Sequence, residues 1–358
     1  MKTLEDEETR RVIPGARWDV AWWLTVALVV VGVGAWEWKM RSLGLRAGDL
    51  GDGASHWTVE RRKIAAGEHD DVVIFGSSRI LFDTDFAVWQ IMTGRRPVQL
   101  ALPGTSPRFL LKRFARDADF DGLVIVGVTP EAFFSEFTTA FPEYLTVNDL
   151  WREESPSQRF GHGVGLLLSR YLAFLDDNYR LGQLIDRVDI PDRPGVRRPF
   201  MEVWKLSETS EDRQYFLWPR LMTDSRLLAH AKSVWLARSR PPAAAELVER
   251  ICSDVGQDIA RIRARGGEVV FVRPPSAGAY YEREQIVAPR AVTWDRLLRV
   301  TGAPGIHFED YQHMQDLEIP EMSHLSRDSA TRFTRAYVGL LAELYPWLDQ
   351  RAVAGSAL

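Results

Sequence analysis

The sequence has little cysteine and no excess of charge of either sign. Cys252 is the only cysteine among 358 residues, so no intrachain disulfide, CxxC redox pair or cysteine zinc site is available. Lys and Arg number 45 against 49 Asp and Glu, a net charge of -4 that does not favour a nucleic-acid partner. Hydrophobic residues make up 46% of the chain and charged residues 26%, which excludes disordered and fibrous proteins. We therefore expect a globular protein stabilised by a packed core.

One long apolar run lies between Val20 and Trp36, and it contains no charged residue. As a helix, its roughly 17 residues span about 25 Å, the lower end of what a bilayer core requires. Trp18 and Trp38 lie just outside the run, where tryptophans anchor a spanning helix at the membrane surface. The alternative is a cleaved signal peptide, whose apolar stretch is usually about 7 to 15 residues long. The sequence predicts a retained transmembrane anchor over 20–38.

Basic residues near the run set the expected orientation. Four precede it and three follow it: Lys2, Arg10, Arg11 and Arg17 before, and Lys39, Arg41 and Arg46 after. The more basic flank usually stays in the cytoplasm, so we expect the tail 1–19 to be cytoplasmic. The predicted localisation is a single-pass protein of the inner (cytoplasmic) membrane, with its C-terminal domain in the periplasm or another extracytoplasmic space.

The rest of the chain alternates between short apolar runs and helical patterns. A polar segment, 39–69, is predicted to be a juxtamembrane linker with at most one short helix over 58–66. Strands are then predicted at 72–75, 98–102, 123–128, 268–272 and 306–309, with helices between them and a last helix over 328–344. This alternation predicts an α/β domain over 70–350, with a mostly parallel sheet covered by helices on both faces. Residues 351–358 are predicted to form a C-terminal tail.

An insertion, 131–241, interrupts this alternation. Its main feature is a predicted helix near 164–185 whose apolar side chains follow one stripe, and we expect that stripe to pack against the sheet. Aromatic residues elsewhere in the insertion leave two interpretations open. They form either a groove for a polysaccharide acceptor or a helical cap with scattered exposed aromatics.

The loops after the predicted strands carry the chemistry-bearing residues. The first strand ends in Gly76-Ser77-Ser78-Arg79, the second is followed by Gly104, the third by Thr129, and Glu321-Met322-Ser323-His324 precedes the final helix. In parallel sheets, ligands bind outside the carboxyl ends of the strands, where such loops meet. Taken alone, the first turn is equally compatible with an ordinary strand-to-helix turn that a serine caps.

In this order the motifs resemble those of the SGNH/GDSL hydrolase superfamily. The GSSR opening and the N-terminal anchor resemble its membrane-anchored branch, which acts in cell-surface polysaccharide O-acylation, as in the alginate acetylation proteins and the D-alanyl transfer protein of teichoic-acid synthesis. The resemblance covers roughly residues 70–128 and 268–345. It implies a flavodoxin-like, SGNH-type three-layer sandwich with a large helical insertion and one N-terminal transmembrane helix.

The resemblance also implies a role for each motif residue. Ser78 is the expected nucleophile, His324 its general base, and Glu321 the carboxylate that orients His324, because a serine hydroxyl needs an imidazole held in one tautomer. The Ser78 backbone and Gly104 are expected to donate to the oxyanion. Thr129 stands where the family commonly has an oxyanion-hole Asn, and its hydroxyl donates one hydrogen bond with less fixed geometry.

Two further residues are candidates for substrate contact. Arg79 could bind an anionic or acyl group beside the nucleophile, or form an ordinary ion pair. Asp310 is the reserve candidate for the carboxylate that orients His324. His307 and His313 flank it, but their spacing fits no metal motif, so no metal site and no cofactor are predicted.

The expected function is therefore a serine O-acyltransferase or esterase of the cell envelope, with acetyl as the expected acyl group. Its expected partners are the membrane, a polysaccharide acceptor and a membrane-bound O-acyltransferase. The alternative is a catalytically decayed SGNH-fold protein that serves as a binding or scaffold subunit of a polysaccharide-modification complex.

Overall fold

The computed structural model describes residue 15 and residues 17–68, 71–117, 119–186, 204–237 and 241–349. The expectations for the tail 351–358 and for most of the tail 1–19 lie outside these residues. The same holds for the predicted start of the domain at residue 70 and for Phe200, one of the aromatic residues of the insertion.

Five parallel strands form the central sheet, in the order β2-β1-β3-β6-β7. Counted within the sheet alone, this is the order 2-1-3-4-5 of flavodoxin-type doubly wound sheets. A separate antiparallel pair, β4 and β5, lies in the insertion. The strands are β1 (Val72–Phe75), β2 (Val98–Gln99), β3 (Leu123–Gly127), β4 (Ser207–Thr209), β5 (Tyr215–Leu217), β6 (Glu268–Arg273) and β7 (Gly305–His307).

Helices connect and cover these strands. They are α1 (Trp18–Ser42), α2 (Ala54–Ala65), α3 (Ser78–Asp83), α4 (Phe86–Thr93), α5 (Arg108–Asp117), α6 (Pro130–Phe133), α7 (Val147–Glu153), α8 (Pro156–Ser169), α9 (Leu181–Asp186), α10 (Arg220–Thr223), α11 (Ser225–Ala237), α12 (Ala245–Arg263), α13 (Gly278–Val287), α14 (Trp294–Thr301), α15 (Gln312–Gln315) and α16 (Arg327–Leu344).

Side chains of each strand alternate between two hydrophobic cores, one on each face of the sheet. In β1, Val73 and Phe75 belong to the core formed with α5, α12 and α14. Val72 and Ile74 belong to the core formed with α3, α4 and α16. The strands are buried on both faces, which is why they appear in the sequence as continuous apolar runs. The predicted α/β architecture with a parallel sheet is confirmed.

Helix α1 contains the predicted membrane-spanning run. Among the described residues it is the one helix long and apolar enough to cross a membrane, and none of its apolar window is buried in the protein. Only Met40, near its C-terminal end, is buried against the body of the protein. The length and exposure of α1 agree with the predicted anchor.

The segment predicted as a linker, 39–69, instead packs against the domain. Helix α2 begins earlier than expected, at Ala54, and Trp57 and Ile64 belong to a core. The Trp57 indole nitrogen donates to the carbonyl of Leu100, 3.1 Å away. Two apolar side chains at helical spacing therefore hold this segment, although its overall composition is polar.

The helix predicted near 164–185 is also different in the structure. Helix α8 starts at Pro156, because the Ser155 side chain accepts from the Gln158 backbone and forms a capping box with that residue. The helix ends at Ser169, and two short 3-10 turns follow, Ala173–Leu175 and Asp177–Tyr179. No side chain of α8 is buried, so the expected packing of its apolar stripe against the sheet is wrong.

Candidate active site

Ser78 is the first residue of α3, directly after the turn that leaves β1. Ser77 is the N-cap in an extended conformation, and Gly76 allows the close packing of this turn. A side chain at Gly76 would place its Cβ 2.1 Å from the Ile80 methyl group, so only glycine fits here. Ser78 is half-buried, and its hydroxyl forms no hydrogen bond with any described residue. The hydroxyl is therefore available to an incoming group.

Glu321 and His324 form a buried carboxylate–imidazole pair. The His324 Nδ1 lies 3.0 Å from Glu321 Oε1, and both side chains are completely buried. The same oxygen accepts from the backbone N–H groups of Ser323, at 3.2 Å, and of His324. The other oxygen, Oε2, accepts from the Trp235 indole nitrogen. Each carboxylate oxygen thus has a donor, which fixes the orientation of the group.

This arrangement defines the tautomer of His324. A carboxylate oxygen at Nδ1 requires a proton on that nitrogen, so the neutral ring presents a lone pair at Nε2. The Nε2 atom is buried and has no partner among the described residues. An imidazole with its Nδ1 held and its Nε2 free is the form that a general base requires.

Helix α3 packs directly against the His324 segment. The Phe82 ring lies 4.3 Å from the His324 ring, centroid to centroid. The Leu325 backbone donates to Asp83 Oδ1 at 3.1 Å. Ser78 lies one helical turn before Phe82, on the same face of α3. The structure therefore brings the helix that begins at Ser78 against the segment that carries His324, while a close approach of the two side chains stays a prediction.

The predicted oxyanion loops leave strands that neighbour β1. Gly104, after β2, has a φ of 58°, in the left-handed region that favours glycine. A Cβ there would lie 2.9 Å from the Phe141 ring. The Leu102 backbone donates to the Gly76 carbonyl at 3.1 Å, which joins this loop to the turn before Ser78. Thr129, after β3, is 8% exposed, and its hydroxyl forms no hydrogen bond with any described residue.

Of the two interpretations left open for Arg79, substrate contact and an ordinary ion pair, the structure contains the ion pair. The Arg79 side chain is 1% exposed, and its Nη1 lies 2.9 Å from Glu284. Arg273 binds the same carboxylate at 2.8 Å. Burial by itself would raise the pKa of Glu284, but the two guanidinium groups outweigh it and lower that pKa. Arg79 is therefore part of a buried ionic cluster with Arg273 and Glu284.

Asp310, the reserve candidate for the carboxylate that orients His324, forms an ion pair with Arg290 at 2.8 Å. The carboxylate that lies at His324 Nδ1 is that of Glu321. Burial, together with Arg273 and Arg290, lowers the pKa of His307 to about 2, which keeps that ring neutral. No group of side chains suited to a metal ion occurs among the described residues.

Two residues of the site had no signal in the sequence. Trp235 comes from α11 in the insertion, and the Arg283 guanidinium, which also binds Glu131, donates to its carbonyl at 2.9 Å. Asp83, at the end of α3, is fully buried, and burial raises its pKa well above the usual value. Neither residue stands at a motif spacing, and only the tertiary packing brings them to Glu321 and His324.

No protein-family model matches the chain, and no significant similarity to a curated protein was found. The resemblance to the SGNH/GDSL superfamily therefore stays a prediction from the sequence motifs.

Proposed function

We propose that the protein is a membrane-anchored, extracytoplasmic serine O-acyltransferase or esterase of the SGNH type that acts on a cell-surface polysaccharide. The observation that carries the proposal is the buried Glu321–His324 pair, with a free Nε2, packed against the helix that begins at Ser78. The strand order and the two cores support an SGNH-type sandwich. Helix α1 supports the anchor.

In the first half-reaction, Ser78 Oγ attacks the carbonyl carbon of an acyl ester donor, and His324 Nε2 takes the hydroxyl proton. The bond from Oγ to carbon forms as the carbonyl oxygen gains negative charge. The backbone N–H of Ser78, the backbone of Gly104 and the Thr129 hydroxyl are the donors proposed for that oxygen. The intermediate then expels the donor alkoxide, which takes the proton from His324 and leaves an acyl group on Ser78.

In the second half-reaction, a polysaccharide hydroxyl or water attacks the acyl-serine. His324 takes the proton of the attacking group and returns it to Ser78 as the ester bond to the enzyme breaks. A sugar hydroxyl gives transfer, and water gives hydrolysis. The acyl donor would come from a membrane-bound O-acyltransferase partner, because the anchor keeps this domain close to a protein that delivers acyl groups at the membrane.

A scaffold subunit is the second candidate. Two observations favour it: the Ser78 hydroxyl forms no hydrogen bond to His324 in the described structure, and Thr129 replaces the usual amide. Catalytic hydrogen bonds are often long in unliganded enzymes, so the first observation alone does not decide between the two.

The deciding experiment is Ser78→Ala with Ser77→Ala as its matched control. We expect Ser78→Ala to abolish polysaccharide acylation in cells and acyl-serine formation in the purified chain, with normal expression and membrane insertion. Ser77→Ala removes the adjacent hydroxyl and should be milder. Thr129→Val removes a single oxyanion donor, so it should cost about 100-fold to 1000-fold, less than the loss of the nucleophile. Wild-type acylation by Ser78→Ala would establish the scaffold function instead.

A further inference from the structure

Helix α8 presents an apolar stripe to the outside of the protein. Four of its side chains and the tyrosine just beyond it recur at helical spacing, on one face. They are Phe160, Val164, Leu167, Leu168 and Tyr171, with exposed fractions of 75%, 38%, 51%, 46% and 68%. A continuous exposed apolar face of this kind indicates a contact surface, whereas single exposed apolar residues do not.

The opposite side of α8 is held by the body of the protein. The His162 ring packs edge-on against His56 of α2, with 5.6 Å between centroids. The Gly48 backbone donates to the Ser169 carbonyl at 2.7 Å. These contacts fix the rotation of α8, so the stripe faces away from the domain because of packing, and no rearrangement is needed to expose it.

The segment that directly follows α8 is hydrogen-bonded to α1. Glu37, the residue after the apolar run of α1, accepts from the backbone N–H groups of Ala173 and Phe174, each at 3.0 Å. One turn further along α1, Arg41 donates to the carbonyl of Tyr171 at 3.1 Å. The stripe therefore ends beside the point where the apolar run of α1 ends, which is where α1 would leave a bilayer.

The two arginines beside the stripe are in ion pairs. Arg159 lies 3.6 Å from Glu154, which also binds Arg62, and Arg170 forms an ion pair with Glu211. Because two arginines share Glu154, some positive charge is left beside the stripe and adds to the attraction between its apolar side chains and a membrane.

We propose that α8 lies in the interface of the bilayer beside α1, with its apolar stripe in contact with lipid. This inference rests on the anchor in the proposed function, and it adds a second membrane contact that fixes the tilt and height of the domain. Continuity with α1 favours lipid over a second copy of the chain, because Glu37 and Arg41 hold the end of the stripe at the level of the membrane surface.

The test uses the full chain with single introduced cysteines that carry an environment-sensitive fluorophore. Cys252 stays in place, since its thiol is buried and burial raises its pKa to about 11, which suppresses labelling. The labelled positions are Leu167 in α8, Val30 in α1 as the membrane reference, and Ile286 in α13 as a control with 69% exposure. The vesicles contain phosphatidylcholine, part of it carrying a nitroxide quencher near the top of its acyl chain.

We expect several-fold stronger quenching at Leu167 than at Ile286, both in phosphatidylcholine alone and when phosphatidylglycerol replaces part of the lipid. Quenching at Leu167 equal to that at Ile286 would overturn the interfacial helix, and acylation by the same sample would leave the proposed function intact. A water-exposed Val30 would overturn the anchor itself. Protection of Leu167 in native membranes but not in lipid vesicles would replace lipid with a protein partner.

Discussion

Glu321→Gln tests the geometry of the buried pair most directly. The two carboxylate oxygens of Glu321 face donors only: the His324 ring, two backbone N–H groups, and the Trp235 indole. Glutamine replaces one acceptor oxygen with an NH2 group, which is itself a donor. The least costly orientation keeps the amide oxygen towards His324 and turns the NH2 towards Trp235. The glutamine NH2 and the Trp235 indole N–H, both donors, then face each other in a buried site.

The magnitude follows from the bonds lost. An unsatisfied buried donor costs about 1–3 kcal/mol, so Glu321→Gln should lower the free energy of unfolding by about 2–3 kcal/mol. Trp235→Phe leaves one oxygen of a buried carboxylate without a donor and should cost a similar amount, about 2 kcal/mol. In the double variant Glu321→Gln/Trp235→Phe, the glutamine NH2 no longer faces an indole N–H. The loss in free energy of unfolding should therefore be smaller than the sum of the two single losses by about 1–2 kcal/mol.

The assay is urea unfolding of the full chain in detergent micelles, followed by circular dichroism, for both single variants and the double variant. Trp89→Phe is the matched control, because Trp89 is also buried but its indole nitrogen has no partner in the described structure. Acylation should place Glu321→Gln between the wild type and Ser78→Ala, since Glu321 only orients the base. Strict additivity of the two free-energy changes would refute the contact between Trp235 and Glu321.

Two other substitutions test the surroundings of the site. The pKa of Asp83 is raised in the folded state, so wild-type stability falls by about 1.4 kcal/mol per pH unit between the usual aspartate pKa and the folded one. Asp83→Asn keeps the acceptor for Leu325 and should therefore gain stability over the wild type as pH rises above the usual aspartate pKa, as measured by unfolding at each pH. Parallel pH profiles of the two proteins would contradict this. Gly104→Ala should cost about 1–3 kcal/mol because of its φ and the contact with Phe141. Gly256→Ala in α12 should instead gain about 0.5–1 kcal/mol in thermal unfolding, because the added Cβ would meet only Val300, at an ordinary contact distance of 4.0 Å. Equal effects of the two alanines would contradict the left-handed turn.

The architecture was predictable because apolar periodicity reports burial. Strands such as Leu123–Gly127 are buried on both faces, and their continuous apolar sequences gave their places correctly. The same argument failed for α8, since an apolar stripe specifies only that a face avoids water. It does not say whether protein or lipid covers that face.

The site was predictable where two of its residues lie within a few positions of each other in the sequence. Glu321 and His324 are three residues apart, and the predicted pairing is the one that the structure contains. An ion pair of Arg79 was one of the two predicted alternatives, but its partner was not predictable, because Glu284 lies on another helix and sequence spacing carries no information about that distance. Trp235 was missed for the same reason.

The energetics of the site favour a catalytic function over a scaffold. A buried carboxylate bound to a buried imidazole whose second nitrogen has no partner costs stability compared with an apolar pair of similar volume. Asp83 adds a second buried carboxyl beside it, with one oxygen unpaired in the described structure. Unpartnered buried atoms also occur elsewhere among the described residues, the Trp89 indole nitrogen among them, but a scaffold does not need two buried carboxyl groups beside one imidazole. The arrangement is expected of a protein in which His324 Nε2 receives a proton during turnover.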